Sequence, residues 1–252
     1  MTYCLAIELY EGIVFAGDTR SNAGVDYVSS YRKLHTFETN DDRSLILLSA
    51  GSLATTQEVC HRVRRDLRAA AEGDRTQPNL NGFKQMFEVA AYFGRVSQDV
   101  QKSHQEAMSA SGVSGDATFI LGGQIRGERQ RVFLIYPQGN FIEDSEDTPY
   151  FQIGENKYGK PILDRLVRPD LSLADAAKLA LISLEATMRS NVTVGPPLDV
   201  AIYKRDSIAA MEVLRIEEND PYILMMRERY QELIAEAFRQ LPAFPGIDTM
   251  PA

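Results

Sequence analysis

The sequence predicts an α+β protein, a four-layer αββα sandwich of two antiparallel sheets with an added C-terminal helix. Three observations predict it. Short apolar runs bounded by turn residues fall into three groups along the chain, pairs of amphipathic stretches at helical spacing separate those groups, and one more amphipathic stretch follows the last. Two stacked sheets with a helical layer on each outer face satisfy that order. The expected division is 1–216 for the sandwich and 217–252 for a helical extension and tail.

The first group holds strands at Tyr3 to Leu9, Ile13 to Asp18, Asp26 to Phe37 and Ser44 to Ala50, with a turn at Glu11-Gly12. Two helices follow, one carrying Val59, Val63, Leu67 and Ala70, the other Phe83, Met86, Ala90, Phe93 and Val100. Gly73 and Thr76-Gln77-Pro78-Asn79 separate them. The second group has strands at Ala117 to Gln124, Arg131 to Tyr136, Asn140 to Glu143 and Tyr150 to Ile153. Helices at Pro161 to Leu166 and Leu173 to Arg189 come next, the latter opened by Ser172 and Asp175 in capping-box order. Strands at Leu198 to Tyr203 and Ala209 to Arg215 close the sandwich. Asp220-Pro221 then caps a helix bearing Ile223, Met226, Tyr230, Leu233, Ala237 and Leu241, and Pro242 to Gly246 ends it.

The chain has 252 residues, 44% of them hydrophobic, and a net charge of −8. An acidic chain of this kind has no general attraction for phosphate backbones or anionic lipid, so neither nucleic acid nor membrane is an expected partner. The N-terminus lacks the basic, apolar and small-residue order of a secretory signal, and the expected location is the cytoplasm. Cys4 and Cys60 stand alone and read as buried, reduced thiols. His35, His61 and His104 show no ligand spacing, so no metal and no cofactor are expected.

Thr2 is the first candidate for chemistry. Removal of an initiator methionine is favoured before a small residue, and it places a free α-amine beside a hydroxyl. Such an amine has an ordinary pKa of about 7.7–8.0, so near neutrality it can take the hydroxyl proton with no histidine or metal.

Four pieces extend this cue: Met1-Thr2-Tyr3-Cys4-Leu5-Ala6-Ile7, Gly12 to Arg20, Tyr31-Arg32-Lys33, and Ser49-Ala50-Gly51-Ser52. Together they resemble proteasome β-type subunits, and most closely the bacterial ancestral-β-subunit (Anbu) family. Asn22 to Asp26 and Tyr31-Arg32-Lys33 favour that family, and the resemblance covers the first 215 residues or so. It implies an N-terminal-nucleophile hydrolase fold, with Thr2 as nucleophile and Asp18, sixteen residues on, holding a lysine. Lys33 takes the lysine position and would lower the pKa of the Thr2 hydroxyl. Arg20 would add charge or brace Asp18, and the backbone N–H of Gly51 would form the oxyanion hole.

Three departures accompany the resemblance. Lys33 lies 31 residues after Thr2, one fewer than in the better-known subunits. Ser190 stands where that pattern has an aspartate and Thr193 where it has a serine, their hydroxyls remaining able to bond the terminal amine. Glu155 replaces a serine near the nucleophile, so its carboxylate would supply part of the missing network.

The resemblance implies a threonine-type endopeptidase acting on peptides or unfolded chains inside a homo-oligomeric ring or stack, with the last helix as a contact surface. A weakly active or non-catalytic assembly subunit is the alternative that Ser190 favours. An N-terminal-nucleophile amidase acting on a small amide is a third class, against which Arg32-Lys33 and Asp18 argue. Gly154 to Pro161 nearly spells a phosphate-binding loop, but Pro161 offers neither hydroxyl nor N–H, so it reads as a strand-to-helix turn. Asn191-Val192-Thr193 fits a glycosylation sequon that a cytoplasmic chain does not use. Glu143 to Asp147 reads as a solvated acidic loop.

Overall fold

A computed structural model of the chain describes residues 1–22, 28–37, 39–74, 76–208 and 211–244. The chain divides into two units, Met1–Glu217 and Glu218–Ala252. In the first unit, strands β1 (Tyr3–Leu9) and β2 (Gly12–Asp18) form a hairpin whose residues are nearly all buried on both faces. That burial explains why both read as continuous apolar runs rather than as alternating ones.

A short polar ribbon follows, β3 (Arg20–Asn22) with β4 (Val28–Ser30), and then β5 (Leu34–Thr36) and β6 (Arg43–Gly51). The single strand expected from Asp26 to Phe37 is therefore two, split at residues 31–33; Asp26 and its neighbours at 23–27 lie outside the described residues. The split has a cause in hydrogen bonding. The carbonyl of Lys33 accepts from Ser49 N at 2.9 Å, while its side chain turns away to a buried carboxylate.

Helices α1 (Leu53–Ala71) and α2 (Met86–Ser111) come next. Ser52 caps α1 by accepting from Thr55 N. Phe83 was expected inside the second helix, but it precedes it. The Glu88 carboxylate reaches back to the N–H groups of Lys84 and Gln85 and stops the helix from extending, while the Phe83 carbonyl accepts from the Arg43 guanidinium at 2.9 Å. Phe83 still packs on the same core.

Strands β7 (Ala117–Ile125), β8 (Arg131–Ile135), β9 (Phe141–Glu143) and β10 (Tyr150–Gly154) follow. Helices α3 (Lys160–Leu166) and α4 (Leu173–Ser190) lead to β11 (Leu198–Lys204) and β12 (Val213–Ile216). The last strand is shorter than expected: Met211 and Glu212 precede it, and Ala209 and Ala210 lie outside the described residues.

The strands make two antiparallel five-stranded sheets, in the orders β10-β1-β2-β11-β12 and β5-β6-β7-β8-β9. Alternation within strands splits the core into layers. Cys4, Ala6, Phe15, Ile46, Leu48, Ile120 and Ile153 meet between the sheets. Leu45, Leu47, Phe119 and Leu121 point the other way, onto Val59, Val63, Val89 and Phe93 of α1 and α2. Tyr3 faces the opposite outer layer, where its hydroxyl lies 2.6 Å from Ser183 Oγ on α4. These are the four layers of the αββα sandwich. Cys4 and Cys60 are free and buried within it.

The acidic loop after β9 is not simply solvated. Glu143 accepts from both Arg129 and Arg131 at 2.6 Å, and Asp144 is partly buried beside Glu8. Burial, then the Glu8 charge, push the Asp144 carboxyl up to about 8.

The second unit contains α5 (Pro221–Gln240), capped by Asp220, which accepts from Tyr222 N and Ile223 N. It carries exposed Leu224, Met225, Leu233, Ile234 and Phe238. Among the described residues no helix is long and apolar enough to cross a membrane.

Candidate active site

Residue 2 sits at the open end of β1, between β2 and β10. Tyr3 pairs with Gly154 of β10, and Glu155 N donates to the Thr2 carbonyl at 2.6 Å. Gly154 has φ +84°, and a Cβ there would come within 2.0 Å of the Thr2 carbonyl oxygen. Glycine is therefore what allows the chain to approach residue 2 so closely. Thr2 itself is half-buried.

On the other side lies Asp18, the last residue of β2 and fully buried. Its Oδ1 accepts from Tyr3 N at 2.9 Å and from Lys33 Nζ at 2.7 Å, and its Oδ2 accepts from Gly195 N at 3.3 Å. Burial pushes the Asp18 carboxyl above the ordinary carboxylate range, and the Lys33 ammonium and the two N–H donors pull it back. One carboxylate oxygen thus joins the ammonium to the peptide linking Thr2 and Tyr3. The shortened interval before Lys33 leaves its side chain able to reach Asp18.

Arg20 contributes differently from the expectation. Its carbonyl, not its guanidinium, meets the lysine: Lys33 Nζ donates to Arg20 O at 2.6 Å. The guanidinium donates instead to Val192 O at 2.8 Å, which ties β3 to the loop after α4.

The α-amine at this end of the molecule belongs to Met1. Burial and the Lys33 ammonium hold it below its ordinary value, while Asp18 and Glu155 act in the opposite sense. Asp18, Lys33 and Glu155 therefore all act on the same terminus.

Gly51 ends β6, is exposed and has φ +106°; a Cβ on it would lie 2.3 Å from the Asp116 carbonyl. Ser190 is exposed at the end of α4. Thr193 Oγ1 donates to Asn191 Oδ1 at 2.6 Å, so its hydroxyl is engaged with its own loop. Glu155 is buried, accepting from Lys157 N at 3.1 Å and from Asn191 Nδ2 at 3.1 Å. Gly154 to Pro161 is thereby the β10-to-α3 connection.

Asn191 and Gly195 carry contacts that the sequence reading did not assign. A signal for the first was present: Asn-x-Thr directly after a helix is an Asx-turn pattern as well as a sequon. Gly195 contributes only a backbone N–H, which no side-chain motif announces. Among the described residues no three of His, Cys, Asp and Glu gather to hold a metal.

Two five-stranded sheets between helical layers, with residue 2 at the start of an interior strand beside a buried Asp–Lys pair, define the N-terminal-nucleophile hydrolase fold. A family model described as proteasome subunit matches residues 2–203. The chain belongs to the proteasome subunit family, in its ancestral-β-subunit (Anbu) group. It is 45% identical to Anbu from Yersinia bercovieri, with a TM-score of 0.88 over 96% of this chain and 98% of that one. It is 42% identical to Anbu from Hyphomicrobium sp. strain MC1, with a TM-score of 0.85 over 96% and 99% of the two chains. A structure described as the helical assembly of the Anbu complex from Pseudomonas aeruginosa is 38% identical, with a TM-score of 0.89 over 96% and 98%. Proteasome subunit beta 2 of Pyrobaculum calidifontis is 24% identical over 210 residues, 83% of this chain and 92% of that one.

Proposed function

We propose that the protein is a threonine-type peptidase that uses Thr2, freed by removal of Met1, as its nucleophile on peptides or unfolded chains. The observation that carries this reading is the buried Asp18–Lys33 pair, bonded at 2.7 Å and sharing Asp18 Oδ1 with the amide that follows Thr2.

In this reading Thr2 Oγ attacks the peptide carbonyl while its proton passes to the Thr2 α-amine, directly or through water. Lys33 favours the alkoxide electrostatically, and Asp18 fixes the ammonium. The Gly51 N–H stabilises the oxyanion, and the ammonium formed at Thr2 returns its proton to the leaving amine. Water, deprotonated by the same α-amine, then releases the acyl group and restores the hydroxyl. Arg20, Ser190, Thr193 and Glu155 support the site. Burial and then Lys33 lower the pKa of the Met1 amine at this end of the chain, and an amine freed at Thr2 beside the same lysine is expected to shift the same way, leaving more of it neutral near pH 7.

The enzyme works as a homo-oligomer, for which the helical assembly described for the Pseudomonas aeruginosa relative and the exposed apolar side chains of α5 are the support. The test is acylation by a threonine-directed electrophile, read by mass. One adduct per subunit, located on an N-terminal Thr2 and lost in Thr2→Ala, is expected. No adduct on protein whose Thr2 is free contradicts the reading and favours a non-catalytic assembly subunit.

A further inference from the structure

The site lacks a carboxylate at 190, where an exposed serine stands. Another carboxylate is already present. Glu155 is 6% exposed, its N–H bonds the Thr2 carbonyl at 2.6 Å, and its charge acts on the α-amine of Met1, the residue joined to Thr2. A buried carboxylate is held in one orientation only where donors bond it.

Those donors are Lys157 N on Oε1 and Asn191 Nδ2 on Oε2. The orientation of the Asn191 amide follows from its other side. Its Oδ1 accepts from Thr193 N at 3.0 Å and from Thr193 Oγ1 at 2.6 Å; a backbone N–H can only donate, so the oxygen must face Thr193 and the NH2 must face Glu155. The residue is itself fixed, with Asn191 N bonded to Thr187 O at the end of α4 and only 9% exposed. The Arg20 guanidinium pins the same loop through Val192 O.

We infer that Asn191 is a positioning residue: its amide holds the Glu155 carboxylate in place on the residue whose N–H bonds Thr2, so that Glu155, instead of residue 190, supplies the negative charge beside the nucleophile's amine. This rests on Thr2 acting through its amine. Thr193 then serves the site indirectly, by setting the Asn191 amide.

The test is the pH dependence of Thr2 acylation in a double-mutant cycle of Asn191→Ala and Glu155→Gln. A negative charge near the amine raises the amine's pKa, so removing it moves the acidic limb of the profile to lower pH. Glu155→Gln is expected to move it by about one pH unit, the size of a single charge acting across a partly buried site. Asn191→Ala is expected to move it in the same direction, and the double variant no further than Glu155→Gln alone.

A limb that Asn191→Ala leaves in place, or moves equally in both backgrounds, overturns the assignment while Thr2 chemistry stands. Wild-type protein with a free Thr2 that is not acylated overturns both. Should Asn191→Ala fail to fold, Asn191→Asp keeps the acceptor for Thr193 and removes the donor to Glu155. Two facing carboxylates then share a proton, and the limb acquires a second ionisation; an unaltered single ionisation overturns the proposal.

Discussion

The carboxylate of Asp18 does three things at once: it accepts from Tyr3 N, from Gly195 N and from the Lys33 ammonium. Buried with one formal cation beside it, it makes Lys33 a structural residue, whatever the electrostatic role proposed for it. Lys33→Met is expected to cost about 3–5 kcal/mol of stability, as removal of one member of a buried pair does, and to abolish acylation of Thr2. Its pH dependence has a definite sign. Without Lys33 the burial that raises the Asp18 carboxyl is opposed only by two N–H groups, so the folded variant holds its proton to higher pH than the unfolded chain. The variant is then relatively stable below the ordinary carboxylate pKa and loses stability as pH rises from about 4 toward the raised value. Urea unfolding of wild type and Lys33→Met at pH 4.5 and 7.5 is expected to show the larger difference at 7.5; equal differences contradict this.

At the scale of elements, legibility followed burial. β1, β2, β6 and β7 could be placed from their apolar runs because both their faces are covered. The ribbon of β3 and β4 could not, since Arg20, Ser21, Ser29 and Ser30 present no apolar period and their pairing is set by register alone. Lys33 lies in a break between strands rather than within one, because its carbonyl and its side chain are drawn to different partners. The Asp18–Lys33 pair was suggested by family pattern; the Glu155–Asn191–Thr193 chain needed the folded loop to bring residues 36 apart into contact. Gly154 joins element to site, since its positive φ lets β10 end against Thr2. Gly154→Ala is expected to cost more than about 1 kcal/mol in thermal or chemical unfolding and to slow acylation, because the new Cβ must displace the Thr2 carbonyl. Unchanged stability and rate would show that residue 2 is not held this way.

For the whole molecule, the fold places one terminus and several donors at the end of a sandwich, while the second unit offers an amphipathic helix with Leu233, Ile234 and Phe238 exposed. Replacing all three by Glu is expected to reduce the sedimenting mass toward that of a single chain, since a copy-to-copy interface built on apolar side chains does not tolerate buried charge. An unchanged sedimentation profile would remove α5 from the assembly. For Thr2 to act as proposed, its hydroxyl and amine must both be free and close together. A peptide epoxyketone bonds to both groups of an N-terminal threonine, so one experiment reads both. Intact mass and a peptide map are expected to show Met1 absent and one doubly bonded adduct on Thr2, missing in Thr2→Ala. Protein that keeps Met1 in every molecule, or adds the reagent elsewhere, contradicts the account.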